Sequence, residues 1–401
     1  MIFLALIYLS FISLGLPDSL LGSTWLVMNT ELGVPVGNAG YISGLVSGGT
    51  ILSSLFSHRL IRRFGTGKVT VVSVAMTAAA LMGFSLSPSF LWLLACAVPL
   101  GLGAGAVDSG LNEFIAEHYA AKHMNWLHCF WGVGAMLGPI LISALLQSGH
   151  SWRDGYLSLS ILQFALVALL LFSLPMWRKH ENPGAARLEQ APTGGAKPGF
   201  FAPLRAKGAP YAMLTFFLYT SIESSMMLWG ASYLVKAKRF LPEIAAGWFS
   251  LFFLGITAGR ALSGFVSIKL SNETLIRIGT VLMIAGVIVM LLPLPALFSL
   301  CALVLIGLGL APIFPSMLHQ TPVHFGKDNA QATMGFQMAC AYTGTTLMPP
   351  LLGQIFSRVS FSLMPYVLLA CGAGLLVCTM RLSAVARTRR DAAQASRSEF
   401  L

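Results

Sequence analysis

Apolar residues fill long, nearly uninterrupted stretches of this chain, and polar residues are confined to short gaps between them. Such runs carry neither the apolar stripe of a helix lying on a soluble core nor the alternation of a half-buried strand. A helix that spans a bilayer needs roughly 20 apolar residues, and about twelve stretches of that length are present. They predict helices over 2–27, 38–58, 68–87, 90–116, 124–147 and 153–176, then over 210–235, 243–268, 275–293, 296–318, 330–356 and 361–382. The first stretch has no basic region ahead of it and no small-residue cleavage pattern, so it reads as a span rather than a removable signal peptide.

Between the sixth and seventh stretches, residues 177–209 are rich in Pro, Gly, Ala and basic side chains and read as a linker. The expected organisation is a six-helix bundle over 1–176, a cytoplasmic linker over 177–209, a second six-helix bundle over 210–382 and a cytoplasmic tail over 383–401. Internal repetition supports two related halves. Gly101-Leu102-Gly103 recurs as Gly307-Leu308-Gly309, the run Ile61 to Thr66 resembles Leu275 to Thr280, and Gly138-Pro139 is matched by Met348-Pro349. The three pairs keep the same order and lie about 206 to 214 residues apart, the pattern of parallel repeats that place a substrate site at their interface. The fold class predicted is an all-α membrane protein with twelve transmembrane helices in two pseudo-symmetric six-helix bundles.

Composition sharpens this picture. Of 401 residues, 56% are hydrophobic and 10% charged, where soluble domains carry about 25% charged residues. The net charge of +11 is dispersed over span ends rather than gathered on one nucleic-acid-binding face. Of 25 Lys and Arg, Arg153, Lys236, Lys238, Arg239 and Arg358 fall on one side. The opposite side holds Arg59, Arg62, Arg63, Lys68, the linker's basic residues and those of the tail, which puts both termini in the cytoplasm by the positive-inside rule. The six cysteines lie in apolar stretches without metal-ligand spacing and read as packing residues. No GxSxG elbow, Walker loop or HExxH motif is present, and the glycine runs are explained by helix packing, so an enzyme is not expected.

Ionisable side chains at membrane depth are costly and each needs a reason. Asp18 lies in Gly15-Leu16-Pro17-Asp18-Ser19, where proline removes a backbone donor and loosens the helix. Asp108 and Asn112 stand four residues apart in the fourth span and share a face, a pairing suited to hydroxyl recognition with proton exchange. Asp18 and Asp108 are the proton-coupling candidates. Under the repeat offset Asp18 maps near Glu223, and each acid precedes a tryptophan, Trp25 and Trp229. His128 and Trp131 sit in the aromatic run from Trp126, where ring faces beside hydrogen-bonding groups suit a sugar. The substrate-binding candidates are Asn112, His128, Trp131, Glu223, Trp229 and Gln337. The bland alternatives remain open: Asp18 caps a helix after the break, Asp108 locks its own bundle, Glu223 is the satisfied partner of Arg260, and His128 is a core group. Arg62 and Arg63 after the second span, with Glu113 and Glu117 of the fourth, form a candidate inner gate or a merely solvated charge cluster.

These residues resemble the major facilitator superfamily over nearly the whole chain, and more narrowly the fucose:proton symporter family. The loop from His58 to Lys68 is similar to the superfamily's loop between spans 2 and 3, with Arg62 where that motif has aspartate. The narrower resemblance rests on Asp18, on Asp108 to Asn112, on Gly132 to Pro139 and on Gly309 to Pro315. It implies proton coupling and sugar binding through acids of spans 1 and 4, here Asp18 and Asp108. Aspartate replaces the family's span 4 glutamate, and His128 falls on its span 5 glutamine, so sugar identity does not carry across. By rise per residue, Asp18 is expected nearer the outer face and Asp108 nearer the cytoplasm, acting in sequence rather than in contact.

The reading is a secondary active transporter that takes up a neutral, sugar-like solute with protons by alternating access, in a bacterial inner membrane, as a monomer, without cofactor or metal. Its partners are the solute, the proton and the bilayer, with no nucleic acid. The alternatives are a proton-coupled exporter of amphipathic compounds and a carrier coupled to Na+ rather than H+.

Overall fold

The computed structural model describes residues 2–119, 121–180 and 206–398. Helices account for the predicted spans in order: α1 (Ile2–Asp18), α2 (Leu20–Glu31), α3 (Ala39–Phe64), α4 (Thr66–Ser85), α5 (Phe90–His118), α6 (Ala121–Gln147) and α7 (Trp152–His180). The series continues with α8 (Ala209–Lys236), α9 (Pro242–Val266), α10 (Asn272–Leu291), α11 (Ala296–Leu310), α12 (Ile313–Phe325), α13 (Lys327–Arg358) and α14 (Met364–Ser398). Two predicted spans are each split. α1 and α2 part at Ser19, just after Pro17, and α11 and α12 part at Ala311-Pro312. Proline supplies the reason in both, because it lacks the N–H that would close the next helical turn.

Among the described residues, ten helical stretches are long and apolar enough to cross a membrane. α8 and α13 have the length but not the apolarity, since they carry Glu223, glutamines and many hydroxyls. Large apolar side chains of the helices face outward, with Phe172 85% and Phe265 73% exposed, the reverse of a water-soluble surface and the arrangement expected where lipid is the solvent. The linker expected over 177–209 lies mostly outside the described residues, although α7 runs on to His180. Residues 383–398 of the expected tail continue α14.

Local signals set the helix ends. α5 starts at Ser89, whose hydroxyl accepts the Trp92 N–H, and α10 starts at Ser271, which caps Thr274 in the same way. α3 stops at Gly65, whose φ of 85° is a left-handed turn that a side chain would strain.

The repeat read from the sequence has a packing counterpart. A side chain at Gly103 would strike Ser73 and Thr77 of α4, and one at Gly309 would strike Met283 and Gly279 of α10. In each half the same glycine lets the fourth span lie directly on the third.

The described chain forms two compact units. One comprises α1–α7 with Met227–Leu254 and Pro349–Ser362. Within it Ser143 of α6 donates to the Glu243 carbonyl at 2.6 Å, and Glu31 at the end of α2 accepts from the Trp152 indole at 2.6 Å and pairs with Arg153. The other comprises the chain up to Met226 from the linker, Gly255–Met348 and the chain from Leu363. These units cut through α8, α9 and α13, so they do not coincide with the expected chain halves 1–176 and 210–382.

Candidate functional site

Asp18 closes α1 at the proline break, and its side chain is exposed in this structure. Its Oδ2 accepts the Trp131 indole N–H from α6 at 2.8 Å. That bond depends on an unusually close approach of α1 and α6: a Cβ at Gly134 would collide with the Ile12 carbonyl of α1. His128, one turn before Trp131, stands edge-on to Phe11 of α1 with ring centres 5.9 Å apart. The aromatic run predicted from Trp126 therefore contacts α1, and its tryptophan reaches the acid itself.

On α5, Asn112 points its amide nitrogen back at Asp108, donating to the carboxylate Oδ1 at 3.0 Å and the main-chain carbonyl at 2.9 Å. Both amide hydrogens are used, and the remaining Asn112 Oδ1 is buried with no hydrogen-bond partner. A buried acceptor without a donor is a place where a ligand hydroxyl or a water belongs.

The second unit holds its own charged group. Glu223 accepts from Tyr219 Oη, one turn earlier on α8, at 2.9 Å and pairs with Arg260 of α9 at 3.5 Å. This is the satisfied arrangement weighed against a substrate role. Glu223→Gln, which removes the carboxylate that pairs with Arg260, is expected to destabilise by up to ~3 kcal/mol, whereas Glu223→Gln with Arg260→Gln costs less, since the double variant keeps neither charge of the pair. Melting temperatures of the two purified variants check it.

Trp229 is fully buried; its indole donates to the Pro349 carbonyl at 2.8 Å and its ring meets Phe361. In this structure its indole nitrogen is occupied by that carbonyl; its repeat partner Trp25 likewise donates to a carbonyl, that of Val36. Gln337 accepts from Thr321 and lines a small cavity with Glu273, Arg277 and His324. Of the gate candidates, Arg62 and Arg63 are exposed, with Arg63 over the Phe64 ring. Glu113 is half-buried on α5, and the Glu117 side chain lies outside the described residues.

Sequence reasoning missed Gln163 of α7 and Thr77 of α4, a buried polar pair bonded at 2.6 Å. The signal available was a lone glutamine in an apolar span, which says nothing of its partner.

The Major Facilitator Superfamily profile matches residues 7–349. The chain belongs to that superfamily. It is a transporter, not an enzyme. It is similar to the glucose/mannose transporter GlcP of Bacillus subtilis, 24% identical over 312 residues covering 77% of this chain and 74% of that protein. A shorter match joins it to the niacin transporter NiaP of Acinetobacter baylyi, 27% identical over 123 residues, 30% of this chain and 28% of that one. Among solved structures, the nucleoside transporter NupG superposes with a TM-score of 0.73 at 14% identity, covering 96% of this chain and 99% of that chain. A bacterial homologue of the human lysosomal transporter Spinster gives 0.69 at 13% identity, covering 98% and 96%. At such identities the structures speak for the fold alone.

Proposed function

We propose that this transporter takes up a neutral, hydroxyl-rich solute of the sugar class together with protons. Two observations carry the reading: an exposed carboxylate, Asp18, held by the Trp131 indole, and a second acid, Asp108, bonded to Asn112, whose Oδ1 is buried without a partner. A sugar hydroxyl donates to such an acceptor, and the two carboxylates exchange protons as their access to water alternates. The glucose/mannose transport named for the Bacillus relative favours the same solute class. Both termini are assigned to the cytoplasm, on the basic side of the chain, in a bacterial inner membrane. Asp18 and Asp108 carry coupling, Trp131 orients Asp18, and Asn112 and His128 contact the solute.

The test is uptake of labelled sugars, glucose and mannose first, into proteoliposomes under an imposed pH gradient, a sodium gradient or neither. The expected result is accumulation with the pH gradient only. Accumulation driven by sodium alone replaces the proton with Na+; expulsion of amphipathic dyes without sugar uptake overturns the reading in favour of an exporter.

A further inference from the structure

Pro17 has no N–H, so the carbonyl of Ser13, one turn earlier in α1, is left without its helical donor. That carbonyl is not orphaned. Gln163 of α7 reaches across and donates to it through Nε2 at 2.9 Å, while its own Oε1 accepts the Thr77 hydroxyl of α4 at 2.6 Å. All three residues are buried, Gln163 at 1% exposure.

The chemistry admits one arrangement. A carbonyl only accepts, so the amide must present its nitrogen to Ser13, which leaves its oxygen to Thr77, and Thr77 must donate. The Thr77 proton is thereby taken from the Val74 carbonyl, which stands 2.8 Å away as the ordinary alternative within α4. Two other helices thus converge on an acceptor that exists because residue 17 is proline. The break is held from two directions, its backbone by Gln163 and its carboxylate by Trp131. A glutamine that merely filled space in α7 has no reason to select the single main-chain carbonyl that Pro17 frees.

We propose that Gln163 is a positioning residue: it supplies the hydrogen bond that Pro17 denies to α1, and so fixes the broken helix in the conformer that presents Asp18 to Trp131. This rests on the reading of Asp18 as a coupling group.

A double-substitution cycle tests it, because Pro17→Ala restores the N–H that Ser13 lost and makes Gln163 redundant. Four purified proteins are compared: the parent, Gln163→Leu, Pro17→Ala and the double variant. In the parent background Gln163→Leu is expected to lower the melting temperature by about 2 °C or more and to raise deuterium exchange over residues 13–22. In the Pro17→Ala background both effects shrink to less than half. In proteoliposomes, Gln163→Leu is expected to reduce pH-driven glucose accumulation about tenfold while glucose counterflow falls less than about threefold; a purely structural role lowers the two together. Equal effects of Gln163→Leu in both backgrounds, or parallel loss of accumulation and counterflow, overturn the proposal. Should Pro17→Ala itself abolish transport, the melting and exchange cycle decides. Failure of the underlying reading shows differently, as accumulation that persists in Asp18→Asn or as glucose not being carried at all, and neither touches the cycle in melting temperature.

Discussion

Asp18→Asn is expected to reduce pH-driven accumulation of glucose in proteoliposomes to the level of passive equilibration while counterflow persists. The substitution is nearly isosteric, and the asparagine carbonyl oxygen accepts the same Trp131 N–H that Oδ2 accepts now at 2.8 Å. Geometry at the break is kept and the change of charge is lost. With one proton per solute and an interior more alkaline by one pH unit, the parent concentrates solute about tenfold, since each ~1.4 kcal/mol of driving force is a factor of ten. The variant is left at a ratio near one. Asp108→Asn has a different signature, because Asn112 donates to the Asp108 side chain and main chain together. It is expected to weaken coupling and also raise the KM, as the orientation of the free Asn112 oxygen relaxes. Undiminished accumulation with both acids replaced removes them from coupling altogether.

Gly134→Val is expected to abolish transport and to lower the melting temperature more than any substitution of a site side chain. The added atoms meet the Ile12 main chain of α1, and the first of them already collides with the Ile12 carbonyl. Backbone does not swing aside as a side-chain tip does. Overpacking of this kind costs typically ~1–3 kcal/mol, and more where the obstacle is rigid. The displacement also pulls Trp131 away from Asp18, so activity falls further than stability. Gly48→Ala is the matched control: beyond the adjoining backbone of its own helix, no atom lies within 4 Å of the position a Cβ would take there. Alanine is the better helix former by up to ~1 kcal/mol, and that variant is expected to fold and transport like the parent. If Gly134→Val remains active, close contact of α1 and α6 is not needed for transport.

The sequence alone determined the all-helical architecture and the order of the helices in this protein. Length and apolarity placed a helix at each predicted stretch, although α3, α12 and α14 run beyond the predicted ends, because a bilayer permits a spanning segment little besides a helix that satisfies its own backbone. Proline marked where α1 breaks, and glycine recurrence predicted that the two halves pack alike, as Gly103 and Gly309 do. The residue types at depth were equally legible, since a carboxylate in hydrocarbon is too costly to be incidental.

Partnership was decided by tertiary structure. Nothing in the neighbourhood of Trp131 says that its indole meets Asp18 rather than a sugar, and Trp229, singled out by the same reasoning, is spent on the Pro349 carbonyl. Gln163 passed unnoticed because its role depends on a proline 146 residues earlier in the chain, through the |i−j| = 150 bond to Ser13. Periodicity and composition are sums over neighbours along the chain, whereas a hydrogen bond between helices depends on axial register and rotation. In an apolar span these are set by small-residue contacts such as Gly134 on Ile12, which fix which polar groups meet only once the helices are packed.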